Sequence, residues 1–225
     1  LPRARGEKNS SGEICILYGS TLCMQVIPSI NVKSAADARA LLESAARFSD
    51  WVHIDVGDGV FTPEHIGISP RRLSIEVHLM AVDYESRMEP WLAAGARRII
   101  IQLELLQDFE YCVELCGKHT ADYMISIAPD TAPDELLPYF NKCRFFQILA
   151  VAPGFPGQQF QERALDTITF IRERAVDAIL EVDGGITPET ARRAKNAGAN
   201  IVVSSSFIWQ NLNPEQSYKE LLAVV

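Results

Sequence analysis

One pattern constrains this chain more than any other. From residue 24 to the C-terminus, a short β-rich apolar run is followed by a helical stretch, and the pair recurs about every 25 residues. The apolar runs fall at 25–30, 51–56, 73–79, 98–103, 123–127, 145–151, 178–182 and 200–203. Helical spacing follows over 35–48, up to Ala94 before Gly95, and over 109–116, 133–140, 164–174, 188–197 and 214–225. The second run is followed by a Gly/Pro-rich loop and a short helical segment. Alternating strands and helices make a parallel sheet. Strands apolar along their whole length suit a sheet covered on both faces. Eight such units in 225 residues match the short end of the (β/α)8 TIM barrel. An open doubly wound sheet is the alternative, but its glycine-rich first turn is absent from Ile30-Asn31-Val32-Lys33. The expected architecture is therefore α/β, a single-domain (β/α)8 barrel over residues 24–225. Residues 1–12 are polar, aperiodic and basic, and 1–23 read as a disordered or non-native leader, with Met24 a candidate initiator.

Charge and cysteine usage narrow the function classes. Acidic residues number 29 against 21 basic ones, which excludes a sequence-independent nucleic-acid binder relying on a Lys/Arg surplus. A phosphorylated small molecule stays open, because backbone N–H groups can hold a phosphate. No apolar run reaches the ~18–20 residues of a membrane span. The five cysteines are odd in number and scattered, unlike a disulfide framework. Cys112 and Cys116 share a helix face and read as small apolar residues rather than a metal pair. With no signal peptide visible, a reducing, cytoplasmic setting is expected.

Barrels place their chemistry at the C-terminal ends of strands. His53 and Asp55 are two apart on the second strand and so share a face. His78 on the third strand and Asp183 on the seventh stand in otherwise apolar runs. Singly, each has an ordinary reading as a hydrogen-bonded core residue or a turn former. Together, two imidazoles and two carboxylates from three strands form a competent site for one divalent metal ion. The mixed N/O set suits Zn, Mn, Fe or Co better than Mg or Ca. Gly154 and Gly157 fit a loop that closes over substrate. Gly184 and Gly185 precede a helix start at Thr187-Pro188, where free N–H groups can take an anion. With the loop after the eighth strand, which holds Ser204-Ser205-Ser206, they occupy the usual phosphate position of a barrel. His65 and His119 receive no role.

These segments resemble the ribulose-phosphate 3-epimerase family of ribulose-phosphate-binding barrels, from about residue 24 to the end of the chain. The matching stretches, in order, are Ile27-Pro28-Ser29-Ile30, then His53-Ile54-Asp55-Val56-x-Asp58-Gly59-x-Phe61-x-Pro63, then Val77-His78-Leu79-Met80. They continue with Pro153-Gly154-Phe155-x-Gly157-Gln158-x-Phe160 and Val182-Asp183-Gly184-Gly185-Ile186. The resemblance implies that His53, Asp55, His78 and Asp183 bind the metal and that Asp55 and Asp183 are the catalytic acid/base pair. It implies a substrate contact at Ser29, a thioether contact at Met80 and a flexible loop carrying Gly154, Phe155 and Gly157. It also implies a phosphate cradle of Gly184, Gly185, Ser205 and Ser206. The implied reaction inverts carbon 3 of a ketose phosphate, by default D-ribulose 5-phosphate to D-xylulose 5-phosphate. Two carboxylates serve the two faces of that carbon, and a Lewis-acid metal stabilises the enediolate between them. A homo-oligomer is implied as well, with nothing here to fix its number.

The chain departs from the family around this core. Gly57 stands where Met is usual, Val60 for His, Glu64 for Asn, Gln102 for His, Leu149 for Met, Ala152 for Glu and Ser205 for Gly. The altered shell motivates two alternatives: epimerisation of another ketose phosphate such as allulose 6-phosphate, or a catalytically degenerate barrel that binds a sugar phosphate. A decarboxylase of the same superfamily would carry Asp-x-Lys-x-x-Asp, and Asp55-Val56-Gly57-Asp58 has no Lys.

Overall fold

A computed structural model of the chain describes residues 5–8, 14–17, 24–32, 34–57, 63, 73–152 and 158–225. Eight parallel strands close into a barrel. They are β3 (Gln25–Ile30), β4 (Trp51–Gly57), β5 (Ser74–Met80), β6 (Arg98–Gln102), β7 (Asp122–Ile127), β8 (Phe145–Leu149), β9 (Ile179–Asp183) and β10 (Ile201–Ser204). Within the stretch read as a leader, β1 (Arg5–Lys8) pairs antiparallel with β2 (Ile14–Leu17), outside the barrel.

The helices begin and end where local chemistry allows. Helix α1 (Ala35–Ala45) starts at Ser34, whose hydroxyl accepts from Asp37 N as an N-cap. The next two are α2 (Tyr84–Ala93) and α3 (Phe109–Lys118), followed by α4 (Arg163–Arg174). Helix α5 (Pro188–Ala197) has a capping box between Thr187 and Thr190 and stops at Gly198, whose φ is 114°. Two short closing helices are α6 (Ser206–Trp209) and α7 (Pro214–Leu222). The stretch expected as a helix over 133–140 is instead a 3-10 helix, Pro133–Tyr139. Pro138 has no N–H to bond backwards and its ring crowds the preceding turn, so an α-helix is not sustained there.

Alternation along each strand divides the core in two. Val52, Ile54 and Val56 of β4 join Val77, Ile99, Ile125, Phe146 and Leu180 under the helices. Ile27, Ile201 and Val203 pack separately inside the barrel, against Trp51 and Ile179. The interior is not uniformly apolar: His53, Glu76, His78, Arg98, Ser126, Gln147 and Glu181 are all buried. Closure joins β10 to β3, with Ile201 beside Gln25. Trp209 Nε1 donates to Ser29 O at 2.6 Å and the Tyr218 hydroxyl to Val26 O at 3.3 Å, tying the last two helices to the first barrel strand. Cys112, Cys116 and Cys143 are free and buried, and burial pushes their thiols up to about 11, 12 and 11. They fill space, as expected for small apolar residues.

Candidate active site

The register of β4 and β5 sets Asp55 beside His78 and His53 beside Glu76. His53 lies wholly inside the barrel. Its Nδ1 bonds Glu76 Oε1 at 2.8 Å, while Nε2 faces Asp55 Oδ1 at 3.2 Å. Asp55 Oδ2 accepts from Ser29 Oγ at 3.0 Å, and Oδ1 lies 3.5 Å from His78 Nδ1. Asp183 ends β9, level with Leu149 of β8 and Val203 of β10. One ligand atom from each of His53, Asp55, His78 and Asp183 falls within a cluster whose members are all within 4.8 Å of one another.

The electrostatics of this cluster are polarised. Burial opposes the charged form of His53, but the Asp55 and Glu76 carboxylates outweigh it and raise the ring well above its ordinary value. Burial likewise opposes ionised Asp55, yet the His53 and His78 rings hold it well below the usual carboxylate range. Asp183 behaves oppositely: burial and the nearby Asp55 carboxylate push it up to about 7. Burial lowers His78. Two carboxylates at one site with protonation driven apart are a recurring arrangement for acid and base work.

The residues fit a divalent metal. His78 is buried and only weakly partnered, with Nδ1 3.5 Å from Asp55 Oδ1. A buried imidazole so weakly partnered is costly, and a ligand role offsets the cost. Glu76 accepts a hydrogen bond from His53 Nδ1 and so turns Nε2 toward Asp55, the usual outer support of a metal-bound histidine.

At the C-terminal end of the barrel, a cleft is lined by Ser29, Asp55, His78, Met80, Asp183, Gly184, Gly185, Ser205 and Ser206. His53 lies beneath it. Leu149 and Ala152, two of the positions that depart from the resemblance, line the same cleft. Gly154, Phe155 and Gly157 lie outside the described residues, as do Val60, Glu64 and His65. His119 sits at the end of α3, 3.1 Å from Glu89 and away from the cleft.

The ribulose-phosphate 3 epimerase family model matches residues 25–209, all eight barrel strands included. The chain belongs to the ribulose-phosphate 3-epimerase family. A ribulose-phosphate 3-epimerase of Chlamydia trachomatis is 30% identical over 201 residues, covering 83% of this chain and 84% of that protein. One from Synechocystis is 33% identical, covering 79% and 81%. Among solved structures, 3-hexulose-6-phosphate synthase from Salmonella typhimurium superposes with a TM-score of 0.68 at 14% identity, over 89% of this chain and 98% of that one. Orotidine 5'-phosphate decarboxylase from Pyrococcus horikoshii gives 0.62 at 13%, over 89% and 98%. These two share the fold.

Membership in the epimerase family gives the glycine pair a clear physical test. Gly184 and Gly185 have φ of 107° and 64°, and a Cβ on Gly185 would lie 2.6 Å from Phe160 N. The side chain would meet backbone rather than a flexible chain end. Gly185→Ala is expected to lower stability by about 2–4 kcal/mol, from left-handed strain and overpacking together. Urea unfolding checks this; a loss below 1 kcal/mol would refute it.

Stability of the metal-free protein has a defined pH dependence. Asp183 ionises near 3.8 when unfolded and near 7 when folded, so between those values the folded state binds the extra proton. Stability then falls as pH rises. Raised His53 acts in the same sense above its ordinary 6.5, and raised Glu181 does so above its ordinary carboxylate value, while lowered His78 opposes them as pH rises toward 6.5. Chelator-treated protein is therefore expected to melt lower at pH 8 than at pH 5, and Asp183→Asn should flatten the slope. Added Zn²⁺ should reverse the trend, since its ligands bind deprotonated. A melting temperature that rises with pH without metal would contradict this assignment.

Sequence reasoning missed part of the interior. Glu76 precedes His78 by two residues and Glu181 precedes Asp183 by two, which places each on the site's face. That spacing was the available signal. Glu104 was also missed: its Oε1 accepts from Ala128 N at 3.0 Å and from the Thr131 hydroxyl, joining the loops after β6 and β7.

Proposed function

We propose that this chain epimerises carbon 3 of a ketose phosphate, by default interconverting D-ribulose 5-phosphate and D-xylulose 5-phosphate. The convergence of Asp55 and Asp183 in one cleft carries the reading. They approach it from β4 and β9, with β10 and β3 between them in the barrel wall. Inverting a carbon next to a ketone needs a proton removed from one face and another delivered to the opposite face. One carboxylate cannot reach both. Asp55, held ionised by two imidazoles, is the base, and Asp183, which retains its proton to about 7, is the acid. Their roles exchange in the reverse direction.

His53, Asp55, His78 and Asp183 would hold one divalent ion, and their N/O donor set suits Zn, Mn, Fe or Co. Such an ion supplies Lewis-acid stabilisation of the negative charge that develops on substrate oxygen. Ser29 donates to Asp55 and orients it beside the substrate. Met80 packs on the sugar. Gly184, Gly185, Ser205 and Ser206 take the phosphate. No helix among the described residues is long and apolar enough to cross a membrane.

Proton NMR in D₂O tests the reading, with D-ribulose 5-phosphate and Mn²⁺- or Zn²⁺-supplemented protein. Xylulose 5-phosphate with deuterium at carbon 3 is expected. No exchange with metal bound would sink the five-carbon substrate. Exchange with allulose 6-phosphate instead would move the specificity to a six-carbon sugar, and the replaced side chains Leu149 and Ala152 would be the first place to look for its cause.

A further inference from the structure

Beneath the cleft, the barrel interior holds a second charged layer that proton transfer at Asp55 and Asp183 does not use. Its centre is Arg98, the first residue of β6, in register with Glu76 of β5 and almost wholly buried. Arg98 Nη1 donates to Glu76 Oε2 at 2.6 Å and lies 3.6 Å from Glu181 Oε2. The guanidinium carbon sits 4.9 Å from the Trp51 ring centre and 4.7 Å from that of Phe145, so both rings hold it in place. Glu181 Oε1 accepts from Gln147 Nε2 at 2.9 Å.

Such a layer is expensive. A guanidinium and two carboxyl groups lose their hydration here, and well-packed apolar side chains often serve stability as well or better. Barrel interiors are commonly filled that way. The geometry suggests another use. Donor atoms of His53, Glu76 and Glu181 lie within 4.8 Å of one another, and Arg98 is the positive group set against them. Glu76 spends one oxygen on each neighbour, Oε1 on His53 and Oε2 on Arg98. Its carboxylate therefore cannot rotate without breaking a bond at one end.

We propose that Arg98 is a positioning residue for the candidate metal centre: it anchors Glu76, which holds the His53 ring with Nε2 aimed at Asp55. This rests on the metal reading above. Arg98 touches no ligand itself, and its influence passes through one hydrogen bond to Glu76 and a second to His53. Without it, Glu76 loses the donor that fixes Oε2, so its carboxylate can turn and the His53 ring loses its support.

The test is Co²⁺ and Zn²⁺ titration of the chelator-treated full chain, with the visible Co²⁺ spectrum as a second readout. Arg98→Met is expected to weaken metal binding about tenfold, the lower end for losing outer support of a ligand, and to alter the Co²⁺ spectrum. Arg98→Lys should restore most of both. Leu115→Ala, in the helical layer, should lower stability and leave both unchanged. If Arg98→Met does not fold, Trp51→Leu reads the same relay, since it removes one ring from the guanidinium and leaves every charge in place. Its expected result is a smaller loss in the same direction. Wild-type affinity and spectrum in a folded Arg98→Met or Trp51→Leu chain would overturn the proposal and leave Arg98 a purely structural ion pair. A wild-type chain that binds neither ion would overturn the metal reading, and this proposal with it.

Discussion

Asp183→Asn is expected to lower turnover of the ketose phosphate about 10²–10⁴-fold, the usual contribution of a positioned proton-transfer group. The amide keeps the size of the side chain and can still offer an oxygen to a metal, but it cannot carry the proton. The loss should therefore fall on kcat far more than on KM. The deuterium experiment gives a sharper signature. With Asp55 intact, one epimer can still lose its carbon 3 proton to solvent, whereas the other cannot. Exchange from one substrate direction without net epimerisation is the expected residue of activity. A variant retaining a tenth or more of wild-type turnover would show that Asp183 is not the acid.

Stripping the metal is expected to cost turnover about 10³-fold, because Lewis-acid stabilisation contributes several kcal/mol and each 1.36 kcal/mol is tenfold. Zn²⁺, Mn²⁺, Fe²⁺ or Co²⁺ should restore the rate. His78→Ala should reproduce the stripped state even with metal supplied, since it removes one of the four clustered donor groups. Kinetics alongside metal analysis decides the matter. Full turnover by protein shown to hold no metal would remove the Lewis-acid part of the mechanism and leave the two aspartates standing.

The barrel was legible because its strands are covered on both faces and so stay apolar along their length. The apolar runs at 25–30 and 123–127 foreshadow β3 and β7 closely. Helical spacing was less informative where proline intervened, as at 133–139, or where the element was too short to show a period, as at Ser206–Trp209. The histidines and aspartates stood out because polar groups in apolar strands need partners. Arg98 did not, since a cation opening a strand looks like a solvent-facing end. Pairing of β5 with β6 sets Arg98 beside Glu76, and closure of the barrel brings β9 round the same interior with Glu181. Ser126 and Gln147 bond each other across neighbouring β7 and β8, a register that single apolar runs do not reveal.

The clasp on the first barrel strand has a consequence for synthesis. Ser29 and Val26 receive hydrogen bonds from residues 180 and 192 positions later, and β3 lacks its β10 neighbour until the chain is nearly complete. At ~5–20 residues per second, a newly made β3 waits roughly 10–40 seconds with one edge unpaired. During that interval the nascent chain presents an open strand border to other nascent chains, a hazard that the finished barrel has abolished.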